Sequence, residues 1–206
     1  MNSDGGFSIT QFYLNDTVIN DYMDLINKRY SNVYVYNTHF YFALITRGFN
    51  MVKRWVRKID VFSKKKLLFP IHLQNCNHWV LVCVNFELKQ IQYYDSLKRH
   101  NLEVQYNIFQ YLNEQYLETI GSSLCTKNWK MVTVSDIPYQ ENGHDCGVFV
   151  CTYAEYLARD AAFNFSQRHM KSFRQLIAYE LTVKKLVDVN VDAEDIDSFI
   201  MDVINS

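Results

Sequence analysis

The stretch Trp79 to Phe86 is apolar at every position but Asn85, and it is built from valine, leucine, cysteine and aromatic residues. A run this short, β-branched and without alternation is the pattern of a strand covered on both faces. A chain containing it must therefore supply a packed layer on each side of a sheet. Glu87-Leu88-Lys89 supplies a turn, and Ile91 to Tyr94 returns as a partner strand. Lys66 to Leu73 reads as another short buried strand, with Pro70 arguing that it ends there or lies at an edge. Trp129 to Val134 alternates as a further strand.

The covering layers are legible as helices. Asn15-Asp16 forms an N-cap pair ahead of Val18, Ile19, Tyr22, Met23 and Ile26, which predicts a helix from Asp16 to Arg29. Asn37 to Ile45 predicts a second, ending near Gly48, and Met51 to Lys58 a short third with Trp55 turned inward. Val104 to Leu117 is amphipathic. Cys146 to Ala158 is apolar on most sides and predicts a buried helix, and Met170 to Val187 another that covers the core. Helices early and late around a central sheet define an α+β domain, not a regular βαβ alternation.

At 206 residues, 49% of them apolar, the chain suits one domain. Its net charge of −1 gives no footprint for nucleic acid. The basic runs Lys53-Arg54-Trp55-Val56-Arg57-Lys58 and Lys64-Lys65-Lys66 read as a solvated helix face and the turn after it. Met1 to Thr10 is polar and has no apolar signal core. No apolar stretch approaches the ~18–20 residues needed to cross a bilayer. The five cysteines are odd in number and irregularly spaced, which fits free thiols in a reducing intracellular compartment. His72, Cys76 and His78 lie close in sequence, and His144 lies beside Cys146, but no regular zinc-ligand pair appears, so no metal is expected. Cys83 and Cys151, inside apolar runs, read as inert core thiols.

Cys146 is different. It follows the run Pro138-Tyr139-Gln140-Glu141-Asn142-Gly143-His144-Asp145 and opens a helix, where backbone N–H groups and the positive end of the helix dipole favour a thiolate. His78 opens the central strand, and Asp95 follows its partner strand. A turn centred near Glu87 would set residue 79 opposite Asp95, with His78 one step away. Cross-strand neighbours have Cβ atoms about 4.5–5.5 Å apart, so a His78–Asp95 hydrogen bond is within reach. A carboxylate there would fix the imidazole tautomer and stabilise imidazolium, and imidazolium would pair with the thiolate as a nucleophile. Gly147 would let a substrate backbone approach the sulfur. Gln140 can offer a side-chain N–H to a developing oxyanion alongside the Cys146 amide. Spacing alone leaves a catalytic set and a buried thiol near a hydrogen-bonded histidine both open. The Gln-x5-Cys-Gly run favours catalysis.

These residues resemble the Ulp/SENP family of SUMO-specific cysteine proteases from about Leu14 to Val187. The similar motifs are Leu14-Asn15-Asp16-x2-Ile19-Asn20, Val52-Lys53-Arg54-Trp55-x2-Lys58-Ile59-Asp60-Val61-Phe62, and Pro70-Ile71-His72-Leu73 leading to His78-Trp79. Tyr94-Asp95-Ser96 and Gln140-x2-Gly143-x-Asp145-Cys146-Gly147 follow in the same order. The resemblance implies a papain-like fold, a His78–Asp95–Cys146 triad with Gln140 in the oxyanion hole, and no cofactor. It implies cleavage after a Gly-Gly C-terminus, maturing a SUMO precursor and freeing SUMO from lysine side chains. Trp79 would roof a narrow diglycine tunnel, which only residues without Cβ could thread. Tyr13 would be its other wall, standing where the family usually carries Trp. Asp16, Phe49, Arg54, Trp55 and His72 would meet the body of the modifier.

The resemblance implies an intracellular monomer, nuclear or cytoplasmic, that uses neither membrane nor nucleic acid. Its alternatives are a protease for NEDD8 or ubiquitin, or a module that holds a modifier without cutting it. Acetyltransferases share the scaffold, but they usually carry Glu in the acid role and a cofactor-binding insertion, and neither is seen here. The loop Gln74-Asn75-Cys76-Asn77 is a residue or two longer than the family pattern. Residues 1–187 are thus expected to form the catalytic domain and 188–206 an acidic tail belonging to it. In that tail Ile196, Phe199, Ile200, Val203 and Ile204 recur at helical spacing, predicting a helix that docks on its own domain. Leu186-Val187-Asp188-Val189 also resembles a SUMO-interacting strand.

Overall fold

The computed structural model describes residues 13–206; the polar stretch Met1 to Thr10 lies outside the described residues. Five strands form one mixed sheet in the order β1-β2-β3-β4-β5: Val33–Val35, Lys66–Leu73, His78–Asn85, Gln90–Tyr94 and Lys130–Thr133. The three middle strands are antiparallel, while β1 and β5 join the two flanks in parallel. Every residue of β3 is buried. Its odd positions Trp79, Leu81 and Cys83 enter one core with α1 (Asp16–Arg29), α5 (Cys146–Ala158), α6 (Met170–Val183) and α7 (Ile196–Asn205). Its even positions Val80, Val82 and Val84 enter a second core with α2 (His39–Arg47) and α4 (Leu102–Ile120). The central strand is therefore apolar throughout because both faces are covered. The architecture is α+β, as the sequence predicts.

Side-chain caps start several elements. Asn15 accepts from the Val18 N–H at α1, and Asn101 does the same for Val104 at α4. The turn into α5 is held by Asn142, whose Oδ1 accepts from the backbone N–H groups of His144 and Asp145. β2 does not stop at Pro70. It runs on to Leu73 against β3, and Pro70 lies beyond the end of β1, on the part of β2 that has only one neighbouring strand.

Several expected boundaries are corrected. The third helix, α3, covers Phe49–Val52 only, after which turns lead to Asp60. Val52 and Val56, four apart, take the buried positions, which leaves Trp55 on the flank, 38% exposed, with its edge against Phe40. β1, three residues long, is too short to show a period and is absent from the sequence reading. α6 ends four residues earlier than expected, at Lys184 in the left-handed region. Beyond it, Leu186 and Val189 are buried in the core and the Val187 N–H donates to Glu180 Oε1, so this segment has no free strand to offer a modifier. In α7, Ile196 and Ile200 are fully buried in the same core as α6. Among the described residues no helix is long and apolar enough to cross a membrane.

Candidate active site

α5 begins at the sheet's centre, and its first residue carries the thiol. Asp145, just ahead of it, makes no capping bond of its own. Its carboxylate instead accepts from Asn142 Nδ2 at 2.7 Å, Gln167 Nε2 at 2.9 Å and Arg174 at 2.5 Å. Burial disfavours its charge, but these bonds outweigh burial and hold the carboxyl below its usual range. The clamp ties the start of α5 to α6 and to the short 3-10 turn at Gln167–His169. Gly147, expected to face a substrate, faces the chain itself. A Cβ there would lie 2.9 Å from Leu14 Cβ, so the missing side chain lets the approach to α1 cross α5 closely.

His78 opens β3, Asp95 lies just past β4, and Cys146 starts α5; all three are buried, at 3%, 1% and 2% exposure. His78 Nε2 and Asp95 Oδ1 are 2.6 Å apart. Asp95 Oδ1 also accepts from the Leu97 N–H at 2.7 Å. The Cys146 thiol also acts on the imidazole, whose Nε2 is taken by Asp95. Burial alone would lower the His78 pKa. The bonds to Asp95 and Cys146 outweigh it and carry the pKa to about 9, so the ring is cationic at neutral pH.

The pairing register differs by one from expectation, and the difference matters. Leu81 faces Tyr94 and Asn85 faces Gln90, across a four-residue loop with Lys89 in the left-handed region. Continued one step, this sets Val80, not Trp79, opposite Asp95. His78 and Asp95 are then diagonal neighbours on one side of the hairpin, whereas the expected register would have turned them to opposite sides.

Gln140 is buried beside this set. Its Oε1 accepts from Ser96 Oγ at 2.6 Å, its Nε2 donates to the Asn142 carbonyl at 2.6 Å, and its backbone N–H donates to the Ser96 carbonyl at 2.8 Å. The Asn142 carbonyl, which can only accept, thereby fixes which end of the amide is nitrogen, and one of the two Nε2 hydrogens remains for another acceptor. Neither Ser96 nor the Asp145 clamp was singled out as a site residue from sequence. The signal was the density of polar residues beside a buried apolar helix, where each must find a partner.

Tyr13, Asp16, His72 and Trp79 line one groove of about 410 Å³. His72 and Trp79 are cross-strand partners with ring centroids 4.6 Å apart, and His72 Nε2 lies 3.0 Å from Asn77 Oδ1. Tyr13 meets His144 edge-on at 6.5 Å. The groove also includes His39, 3.3 Å from Asp16, and exposed Phe42, neither foreseen. Phe49, Arg54 and Trp55 do not line it: Phe49 packs on Tyr111, Arg54 lines a hollow with Glu118, and Trp55 lies against Phe40. Among the described residues Cys83 and Cys151 have no imidazole partner; burial pushes the Cys83 thiol up to about 12 and raises the Cys151 thiol as well. Among the described residues no cluster of three or more His, Cys, Asp or Glu side chains could hold a metal ion.

A buried thiol at a helix start, beside a buried imidazole that a carboxylate holds, is the constellation of the cysteine proteases. The chain belongs to the Ulp1 protease family, whose C-terminal catalytic domain matches residues 13–186. A sentrin-specific protease of Caenorhabditis elegans is 35% identical over 181 residues, covering 85% of this chain and 26% of that protein. Sentrin-specific protease 5 of Homo sapiens is 39% identical over 179 residues, covering 86% and 23%. The chain thus spans about a quarter of the length of these relatives. Its fold is similar to that of the Ulp1 protease domain in complex with Smt3, the yeast ortholog of SUMO, with a TM-score of 0.74 at 29% identity over 85% of this chain and 79% of that one.

Proposed function

We propose that this chain is a SUMO-directed cysteine protease and isopeptidase that cuts after a C-terminal Gly-Gly, both in precursors and in conjugates. The observation that carries the reading is the buried His78–Asp95 contact of 2.6 Å with the Cys146 thiol on the same imidazole. The sentrin-specific names of the relatives and the SUMO-bound state of the structural neighbour support the choice of modifier.

Cys146 is the nucleophile, His78 the acid and base, and Asp95 the group that orients His78. The thiolate attacks the terminal glycine carbonyl, and the charge gathering on its oxygen is met by the Cys146 backbone N–H and the remaining Gln140 Nε2 hydrogen. His78 gives its proton to the departing amine as the C–N bond breaks. It then takes one from the water that opens the thioester. Trp79 and Tyr13 form the walls of the diglycine passage, and Asp16 and His72 meet the body of the modifier at its mouth. Phe49, Arg54 and Trp55 contact that body outside the groove. Residues 1–187 act as the catalytic domain, with 188–206 as its docked tail. The protein works in the nucleus or cytoplasm, in keeping with its five free cysteines.

The test is covalent capture by SUMO, NEDD8 and ubiquitin carrying a C-terminal electrophile. SUMO alone should label the protein, and Cys146→Ser should abolish both labelling and turnover while retaining SUMO binding. Labelling by another modifier instead would change the substrate. Labelling by none, or turnover by Cys146→Ser, would contradict the protease.

A further inference from the structure

Both oxyanion donors hang from one stretch of chain, residues 140–146. Gln140 stands at its start. The Cys146 N–H at its end belongs to the peptide that joins Asp145 to Cys146, and the direction of that N–H follows Asp145 ψ, which is 2°. Residues 140–145 belong to no helix or strand, so their shape depends on what their side chains hold.

Asn142 Oδ1 accepts from the N–H groups of His144 and Asp145, both at 3.0 Å, and the Asn142 carbonyl accepts from Gln140 Nε2. Gln167 bridges the two ends of the stretch: its Oε1 accepts from the Glu141 N–H and its Nε2 donates to Asp145 Oδ2, each at 2.9 Å. Asp145 Oδ2 also accepts from Asn142 Nδ2, so one carboxylate oxygen ties together the two side chains that set the loop. The other oxygen, Oδ1, accepts from Arg174 Nη2 of α6 at 2.5 Å, with His144 Nε2 farther off at 3.9 Å.

An ionised carboxylate has an acceptor site for each of these donors and no hydrogen to obstruct them. Asp145 is only 6% exposed, and a charge that deep persists where an opposite charge answers it, here Arg174. We infer that Asp145 and Arg174 are positioning residues of the oxyanion hole, an inference that rests on the protease reading above. The carboxylate holds the Gln140 amide and the Cys146 N–H in one geometry, and Arg174 keeps that carboxylate charged and in place. Both act through the donors, not on the substrate.

Such a role splits two reactions of Cys146. Attack on the terminal glycine carbonyl places negative charge on oxygen and needs both donors. Alkylation by iodoacetamide joins sulfur to a saturated carbon and releases iodide, with no oxyanion to hold. Asp145→Asn keeps the shape but turns an N–H group towards Arg174 or towards Asn142 and Gln167, all of them donors.

With SUMO ending in an aminocoumarin after Gly-Gly as substrate, kcat of Asp145→Asn should fall about tenfold to a hundredfold, while KM stays within about twofold. Alkylation of Cys146, which follows its thiolate population and is read on its own peptide by mass spectrometry, should stay within about threefold. Arg174→Gln should show the same split, and Arg174→Lys, which restores the cation, should recover part of the loss. If Asp145→Asn does not fold, Gln167→Ala, which leaves the ion pair, should give a smaller loss of the same selective kind. Turnover and alkylation falling together, or kcat unchanged in these variants, would overturn the positioning role and leave the protease standing. A wild type inert toward the SUMO substrate, or turnover surviving Cys146→Ser, would overturn both.

Discussion

α5 carries two buried ionisable centres, and they resolve burial in opposite ways. At its first residue, Cys146 meets His78 and Asp95, and the imidazole is driven to about pKa 9 and stays charged. About two and a half turns on, Glu155 shares the interior with Glu180 and Tyr22. Burial pushes the Glu180 carboxyl up; the Val187 N–H and the Tyr22 hydroxyl pull it back in part, Glu155 adds repulsion, and it settles at about 8. Glu180 is thus mostly neutral at pH 7. Both centres are almost inaccessible to water, so depth does not separate them. What separates them is the partner: His78 has a carboxylate at 2.6 Å, while Glu180 faces a second carboxylate, Glu155. A buried charge survives where an opposite charge and directed hydrogen bonds replace water, and is discharged where they do not.

The largest way to break the contrast is Asp95→Asn, which keeps the shape and removes the charge. It should leave the fold intact and lower kcat by up to about 10⁴, the loss seen for the equivalent change in a serine-protease triad. A loss below tenfold in steady-state kinetics would mean that another group orients His78. Gln140→Ala should cost about 10²–10³ in kcat, as removing one oxyanion donor does elsewhere. An unchanged rate would leave the Cys146 amide as sole donor.

The smallest effect lies at the other centre. Native Glu180 keeps its proton between its ordinary 4.5 and about 8, while the unfolded chain has lost it. Its contribution to stability is therefore full below 4.5 and is lost as pH rises through that window. Glu180→Gln keeps an acceptor for the Val187 N–H and cannot ionise. Thermal melts should show it gaining on wild type at pH 8.5 relative to pH 5, by roughly 2–4 °C for each kcal/mol recovered. Parallel melting curves across that range would mean that Glu180 is ionised without penalty.

The same contrast explains what could be read from sequence. Cys146, His78, Asp95 and Gln140 stand out as polar residues beside strongly apolar elements, and α1, with its cap and period, and α5, with its apolar run, have the bounds their residues predict. What escaped depends on distant partners. The one-residue register of the β3–β4 hairpin is set by its four-residue loop, and that register decides whether His78 and Asp95 can meet. Gly147 was read as room for a substrate because Leu14, far away in sequence, could not be seen lying over it. Trp55 was read as turned inward, yet Val52 and Val56 take the inward positions. The Asp145 clamp draws bonds from Gln167 and Arg174, and the Glu180 pocket from Val187 beyond α6, pairings that no local pattern encodes.

The most direct test of why the centre is charged is an NMR titration of the His78 ring in wild-type protein, followed from pH 6 to pH 10. The ring held by Asp95 and Cys146 should lose its proton near pH 9. A midpoint at or below the ordinary histidine value of 6.5 would show that burial, not its partners, governs the imidazole, and would contradict the account.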